Sequence, residues 1–461
     1  MATFTIDKTD FNRGISLTEN HNNGGFSGAR EGIGLFAEQA AILYPQPART
    51  DLDADNSDVV TDNVVCFAAD PTFLGNDGYA LDEDGKFYTI DGSTVTLRQT
   101  DATNSYNDGT SDMLVYKNSL FATSTTDIAK LDGSDLTSLD HDWWTNTLSK
   151  SALSSTFRHP MEIVEDILYI ADEYKIHTWD GTTAVASAML LPDDYNITNL
   201  IKHTDGRHLL AFVSQTANAG HTKKAAARCF VIDTVNLEFV REIEIDAQVE
   251  GSRNVGGVIY VTYGNKLGYF NGDGISFLRK IESATTYKHQ LANVDDILLV
   301  RDENGILAYG DLGLGNIFWY VYADERTAPQ REIDAIYYAG DNTVLLSSTG
   351  RLLDLIDLDT FAGASNFDSN FYSFPEKVWI RKITVECETL ASGSDITLHS
   401  VDKNGTATEL FDLTFAADGA IDFKEKFVNI YITSLWKLRV AFAAGNTKGI
   451  RSVTIHYESA E

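Results

Sequence analysis

The string best suited to hold a metal ion is DLDADNSDVVTD, Asp51–Asp62. Asp51, Asp53, Asp55 and Ser57 stand at the first four alternate ligand positions of an EF-hand-type calcium loop, where oxygen donors suit a hard cation. Asn56 occupies the place of the turn glycine, Asp62 replaces the bidentate glutamate, and no amphipathic helix flanks the string. An acidic, solvated loop is therefore the simpler reading. Three tryptophans offer a second kind of chemistry, because an indole face can stack on a sugar. Trp143, Trp144 and Trp179 are the candidates for such a platform, and packing over a sheet edge is the plainer use of the Trp143-Trp144 pair. A third candidate is Thr216–Arg228, TANAGHTKKAAAR, a small, polar and locally basic insertion. His221, Lys223, Lys224 and Arg228 could form an interface loop against an acidic neighbour.

Enzymatic constellations are missing from the sequence. It contains no GxSxG elbow, HExxH, Walker loop or dinucleotide fingerprint, and no SxDxGxTW box. Carboxylates are so frequent that sequence proximity of two of them says nothing about glycoside hydrolysis, which needs a defined separation. His399 and His456 read as surface or packing residues. Cys66, Cys229 and Cys387 lack metal-ligand spacing and read as buried, inert thiols. The expectation is a non-enzymatic protein without a cofactor or catalytic metal.

Charge narrows the partners. The formal net charge is −31, of which residues 366–461 carry only −3, with 13 Asp/Glu against 10 Lys/Arg. Residues 51–142 alone hold 19 Asp/Glu against 4 Lys/Arg. Such a surface repels phosphate backbones and anionic lipid, so a basic nucleic-acid or membrane patch is not expected. It would suit a wall past which DNA slides without sticking. The first residues, MATFTIDKTDFNRG, lack the apolar core of a signal peptide, and no apolar run approaches the roughly 20 residues of a membrane helix. Synthesis in a cytoplasm, without membrane insertion, is expected.

The elements that must position these residues are strands. FYTIDGSTVT (Phe87–Thr96), IAKLDGSDLT (Ile128–Thr137), IHTWDGTTAV (Ile176–Val185) and LGYFNGDGIS (Leu267–Ser276) share an apolar strand, an Asp-Gly or Asn-Gly turn and a second strand. Weaker relatives are Cys229–Phe239, Leu307–Asn316 and Leu352–Phe361. Their turn positions, 91, 132, 180, 233, 271, 310 and 356, are spaced by roughly 40–50 residues, the step of a β-propeller blade. Each has an upstream strand, such as Leu168–Tyr174 or Val344–Gly350. A propeller of about seven blades is predicted over residues 61–365, with two consecutive β-sandwiches as the rival architecture. Residues 1–60 are predicted to be an extended arm and loop. From 366 to 461, six strands with clear alternation predict an antiparallel β-sandwich.

A loose propeller behind a Gly-rich arm and before a small sandwich resembles bacteriophage tail proteins of the tail-nozzle or packaged-DNA-stabilisation type. The resemblance rests on DFNRGIS (Asp10–Ser16), the NGDGIS blade turn (Asn271–Ser276) and the closing strands LWKLRVAF and GIRSVTIHYE. It implies a virion structural protein in a homo-oligomeric ring, often of six copies, that lines or extends the DNA ejection channel. The implied partners are copies of itself, other tail or adaptor proteins, and passing DNA bound without sequence specificity. A carbohydrate- or receptor-binding propeller of the tail is the alternative.

Overall fold

The structure is a computed structural model that describes residues 2–6, 47–52, 60, 63–68, 73–75, 78–92, 94–107, 111–132, 136–215, 227–281, 290–302, 305–311, 316–323, 333–340, 343–348, 352–361, 365–368, 372–373, 377–402, 406–432 and 435–460. Among them the chain is all-β, with one π-helical turn, Trp143–Thr147, and one short α-helix, Phe415–Asp418.

Seven four-stranded antiparallel sheets follow one another. Six are built from consecutive strands; the third, for example, comprises Met161–Val164, Ile167–Asp172, Lys175–Trp179 and Ala184–Leu190. Their first strands are Val64–Ala68, Asp112–Tyr116, Met161–Val164, Tyr195–Lys202, Val249–Val255 and Leu291–Val294. In the seventh sheet, Ile333–Gly340, Thr343–Ser348 and Leu352–Phe361 take their fourth strand from Pro47–Asp51. Each first strand lies beside the first strand of the next sheet, and Ile333–Gly340 lies beside Val64–Ala68.

The apolar cores explain this succession. A small sheet cannot cover both of its faces, so each shares a core with the sheets on either side. Leu120 and Ala129 meet Tyr79 and Phe87 between the first and second sheets. Phe121 meets Leu168 and Ile170 between the second and third. The series continues to Ala335 and Leu345, which meet Phe67 and Tyr88 between the seventh sheet and the first.

Turn chemistry sets the strand ends. The predicted turn residues Asp180, Asp233 and Asn271 act alike: each side-chain oxygen accepts backbone N–H groups two and three residues on. Gly181 has φ +99, which a β-carbon would strain. The N–H groups of Thr183 and Thr182 pull Asp180 down to about 2, and the Arg207 guanidinium with the Val235 N–H pulls Asp233 down to about 2, against an ordinary value of 3.8. A depressed native pKa gives stability that is complete above pH about 4 and is lost as pH falls towards 2. The double variant Asp180→Asn, Asp233→Asn is therefore expected to lose less stability than the parent between pH 4 and 2, measured by urea unfolding at each pH. Equal losses would count against this role. Asp82 and Asp127 work in the opposite sense, because burial pushes their carboxyls up.

Two expectations need correction, and one set of strands is new. The described parts of residues 1–60 include two sheet strands: Ala2–Ile6 pairs with Ile450–Ser459, and Pro47–Asp51 pairs with Leu352–Phe361. Position 356 is no turn, since Ile356 is buried in the middle of Leu352–Phe361, whose outer partner arrives from the N-terminal region. The first strands carry no turn signature and were not anticipated. Short strands covered on both faces give burial without alternation, as in the fully buried VVCFA of Val64–Ala68.

The C-terminal region has two facing sheets. One orders Ala2–Ile6, Ile450–Ser459, Val378–Cys387 and Phe423–Ile432; the other contains Ser365–Asp368, Leu435–Phe442, Asp395–Asp402 and Ala407–Thr414, with Tyr372–Ser373 also pairing to Leu435–Phe442. Ile380, Val385, Leu398, Trp436 and Ile455 belong to their shared core. A register shift at Glu386/Cys387 lets Ile450 and Val453 both be buried despite their odd spacing.

Candidate functional site

The first strands of all seven sheets surround a cavity of about 450 Å³. Its wall is mixed: Met113, Ile163 and Tyr337 are apolar or aromatic, whereas Glu162, Lys202 and Arg253 bring charge of both signs. Arg253 Nε donates to Asn293 Oδ1 at 2.8 Å, so this guanidinium is already engaged. The volume falls in the range of small-molecule sites. It cannot thread a B-form duplex, whose major groove alone is about 12 Å wide.

The aspartates are less of a surface feature than their number suggests. Asp82, Asp101, Asp112, Asp127, Asp172, Asp233 and Asp302 are buried. Asp112, on the first strand of the second sheet, accepts the N–H of Met161 on the first strand of the third at 2.7 Å and the N–H of Met113 at 2.9 Å. Asp82 accepts the Tyr88 hydroxyl at 2.7 Å and the Lys86 N–H at 2.9 Å. Part of the acidic excess thus satisfies buried donors and contributes to cohesion of the sheets. The signal was present: ALDEDG, IADEYK and VRDENG place Asp82, Asp172 and Asp302 alike, each ending a second strand.

Asp172 also has two imidazoles near it. His159 Nδ1 and His177 Nε2 each lie 3.8 Å from its carboxylate, and all three residues are buried. His177 Nδ1 accepts the Ser187 N–H at 2.8 Å, which puts the proton on Nε2, facing Asp172. Burial lowers the pKa of His159 and favours its neutral form. None of the three lines the axial cavity.

A half-buried histidine cluster sits at the turn between Tyr195–Lys202 and His208–Gln215 of the fourth sheet. Asp205 Oδ2 is 2.9 Å from His203 Nδ1 and 2.5 Å from His208 Nδ1. The hydrogen bonds of His208 hold the Asp205 carboxyl far below the usual range, outweighing its partial burial. Sequence reading passed over this HTDGRH string because scattered histidines carry no signal until the turn gathers them.

The residues singled out from sequence fare differently. Trp143, Trp144 and Trp179 are buried together against Phe121, with Trp143 and Trp179 edge-to-face at 4.9 Å. They offer no open ring face, so the proposed sugar platform is corrected to a core. Arg228 is tied to Glu242 within its own sheet and lies over the Tyr195 ring, whereas His221, Lys223 and Lys224 fall outside the described residues. In the acidic string, Asp51 ends a sheet strand; Asp53, Asp55, Ser57 and Asp62 fall outside the described residues. All three cysteines are buried and none forms a disulfide; burial raises the Cys229 thiol and pushes Cys387 up to about 11. His456 is half-buried, with Nε2 3.3 Å from the Thr384 hydroxyl, and His399 lies in the Asp395–Asp402 strand.

No family model and no curated protein matches the chain. Similar solved structures include the extracellular domain of a hybrid two-component system from B. thetaiotaomicron, at 14% identity and TM-score 0.47, covering 76% of this chain and 44% of that one. This chain therefore spans less than half the length of that domain. Others are the hydrazine synthase of Kuenenia stuttgartiensis, at 12% identity and TM-score 0.45 over 65% of this chain and 97% of that one, and the Pan2 WD40 domain of Neurospora crassa, at 10% identity and TM-score 0.41 over 68% and 94%. Among the described residues no helix is long and apolar enough to cross a membrane.

Proposed function

We propose that this chain is a non-enzymatic structural protein of a bacteriophage tail: a closed seven-bladed β-propeller with a terminal β-sandwich, assembled as a homo-oligomeric ring beside the path of the DNA. Closure is supported by the seven shared cores and by Pro47–Asp51 completing the seventh sheet. Assembly is supported by one observation above all. Phe423–Ile432 is an edge among the described strands of the sandwich, and Phe423, Phe427 and Tyr431 stand at every fourth position of it, with Glu425 and Asn429 between them. Phe427 is 75% exposed. Exposed aromatics beside a sheet edge offer another chain a surface, and Lys424, Glu425 and Lys426 on the same strand add charge of both signs to it.

In this reading several copies bound the DNA path, because the axial cavity of one propeller is too small for a duplex. The acidic excess of residues 1–365 keeps passing phosphates from adhering. Other tail or adaptor proteins complete the ring's contacts, and the protein enters the virion tail after synthesis in the host cytoplasm. Light scattering on the purified chain is expected to give a mass that is a multiple of 50.8 kDa, with Phe427→Glu shifting it towards one copy. A strict monomer that is also absent from purified virions would overturn the proposal.

A further inference from the structure

We propose that the His203–His208 hairpin is a binding site for a divalent transition-metal ion of the zinc class, held by His203 Nδ1, Asp205 Oδ2 and His208 Nδ1. The turn is longer than those at the same place in four other sheets. Between first and second strands the chain turns through Lys117-Asn118, Glu165-Asp166, Gly256-Gly257 and Asp295-Asp296, two residues each. The first two of these pairs and the glycine pair have positive φ at both positions, as the tightest hairpins require. In the fourth sheet the turn takes five residues, 203–207, and the extra length carries His203 and Asp205.

The loop is braced in a way that presents its donors. Asp205 Oδ1 accepts the N–H groups of Arg207 and His208, both at 2.9 Å, which leaves Oδ2 to face the two imidazoles. Gly206, at φ +77, donates its N–H to the His203 carbonyl at 2.9 Å. Arg207 pairs with Asp233 at 2.5 Å, so the guanidinium is drawn away from the three donors. The strand pair closes on the bond from the His203 N–H to the His208 carbonyl at 2.8 Å.

The three donor atoms lie within 4.8 Å of one another. A tetrahedral ion with bonds of about 2.0–2.1 Å spaces its ligands about 3.3 Å apart. Asp205 Oδ2, at 2.9 and 2.5 Å from the two imidazole nitrogens, stands less than ~1 Å inside that spacing. Two imidazoles and one carboxylate suit zinc, cobalt, nickel or copper; calcium and magnesium demand more oxygen donors. The donor side chains are 23–39% exposed, so remaining coordination positions would open to solvent or to a partner's side chain.

The test is calorimetric titration of the full chain with zinc chloride, repeated with cobalt chloride and absorption spectroscopy. One ion per chain is expected, with the visible bands of cobalt bound to nitrogen and oxygen. The double variant His203→Gln, His208→Gln, shown folded by circular dichroism, should weaken binding by about tenfold or more. His399→Gln should leave it unchanged. Absence of saturable binding by the parent, or equal binding by the double variant, would overturn the proposal.

Discussion

A chain lacking residues 1–51 is expected to unfold at much lower urea concentration than the full chain, or to aggregate, although all seven first strands remain. The deletion removes Pro47–Asp51, which pairs with Leu352–Phe361 through Ala48↔Asp357, Arg49↔Ile356, Thr50↔Leu355 and Asp51↔Asp354. Those ladder bonds contribute on the order of 1 kcal/mol each. Their loss also frees Leu52 and Val60, which are buried in the core between the seventh and first sheets. Together the effect is about 5 kcal/mol, comparable with the whole margin of many domains. The exposed edge of Leu352–Phe361 would then offer itself to other chains. Removal of residues 1–6 alone should cost far less, because Ala2–Ile6 is an edge strand of the sandwich. Its Thr5, joined to Thr454 by a 2.9 Å hydrogen bond, is exposed. Equal unfolding midpoints for the full chain and the 1–51 deletion would refute the stabilising role of this strand in the seventh sheet.

Why this strand escaped sequence reading is a matter of range. Local alternation and Asx-Gly turns mark the second and third strands, so LYIADEYKIHTWDG yields Ile167–Asp172 and Lys175–Trp179 nearly to the residue. The partner of Leu352–Phe361 lies some three hundred residues away, and PARTD has neither an apolar run nor a turn signature of its own. The first strands were hidden for another reason. They line an axial cavity and meet neighbouring sheets, so LANV or MEIV reads as four unremarkable residues. Charge misled in one respect: a buried Asp112 that accepts two N–H bonds looks the same in a composition count as a solvated one. The histidine hairpin was legible only as a spacing. What gathers His203, Asp205 and His208 is a five-residue turn where four other sheets use two residues, and that comparison requires the sheets to be aligned first.

Trp144→Ala is expected to destabilise the protein by about 3–5 kcal/mol, the range for removing a large buried aromatic. Trp144 is 0% exposed. Its indole N–H donates to the Ser151 carbonyl at 3.0 Å, and its ring centroid lies 5.0 Å from that of His177. Its backbone N–H reaches Asp127 Oδ1 at 3.1 Å, the oxygen that also accepts from Ile128 at 2.7 Å and Thr145 at 3.3 Å. That carboxylate ties the π-helical turn to the third strand of the second sheet, while the rings beneath belong to the core shared with the third sheet. Truncation would leave a cavity between two sheets and remove the bond to the Ser151 carbonyl, and one local shift cannot fill the cavity. Trp144→Phe keeps most of the volume and loses only the N–H, so it should cost clearly less than the alanine variant. Urea unfolding of both variants separates packing from ligand stacking. A stacking platform would leave the midpoint almost unchanged while abolishing glycan binding, and that pairing of results would restore the carbohydrate reading that the buried tryptophans otherwise remove.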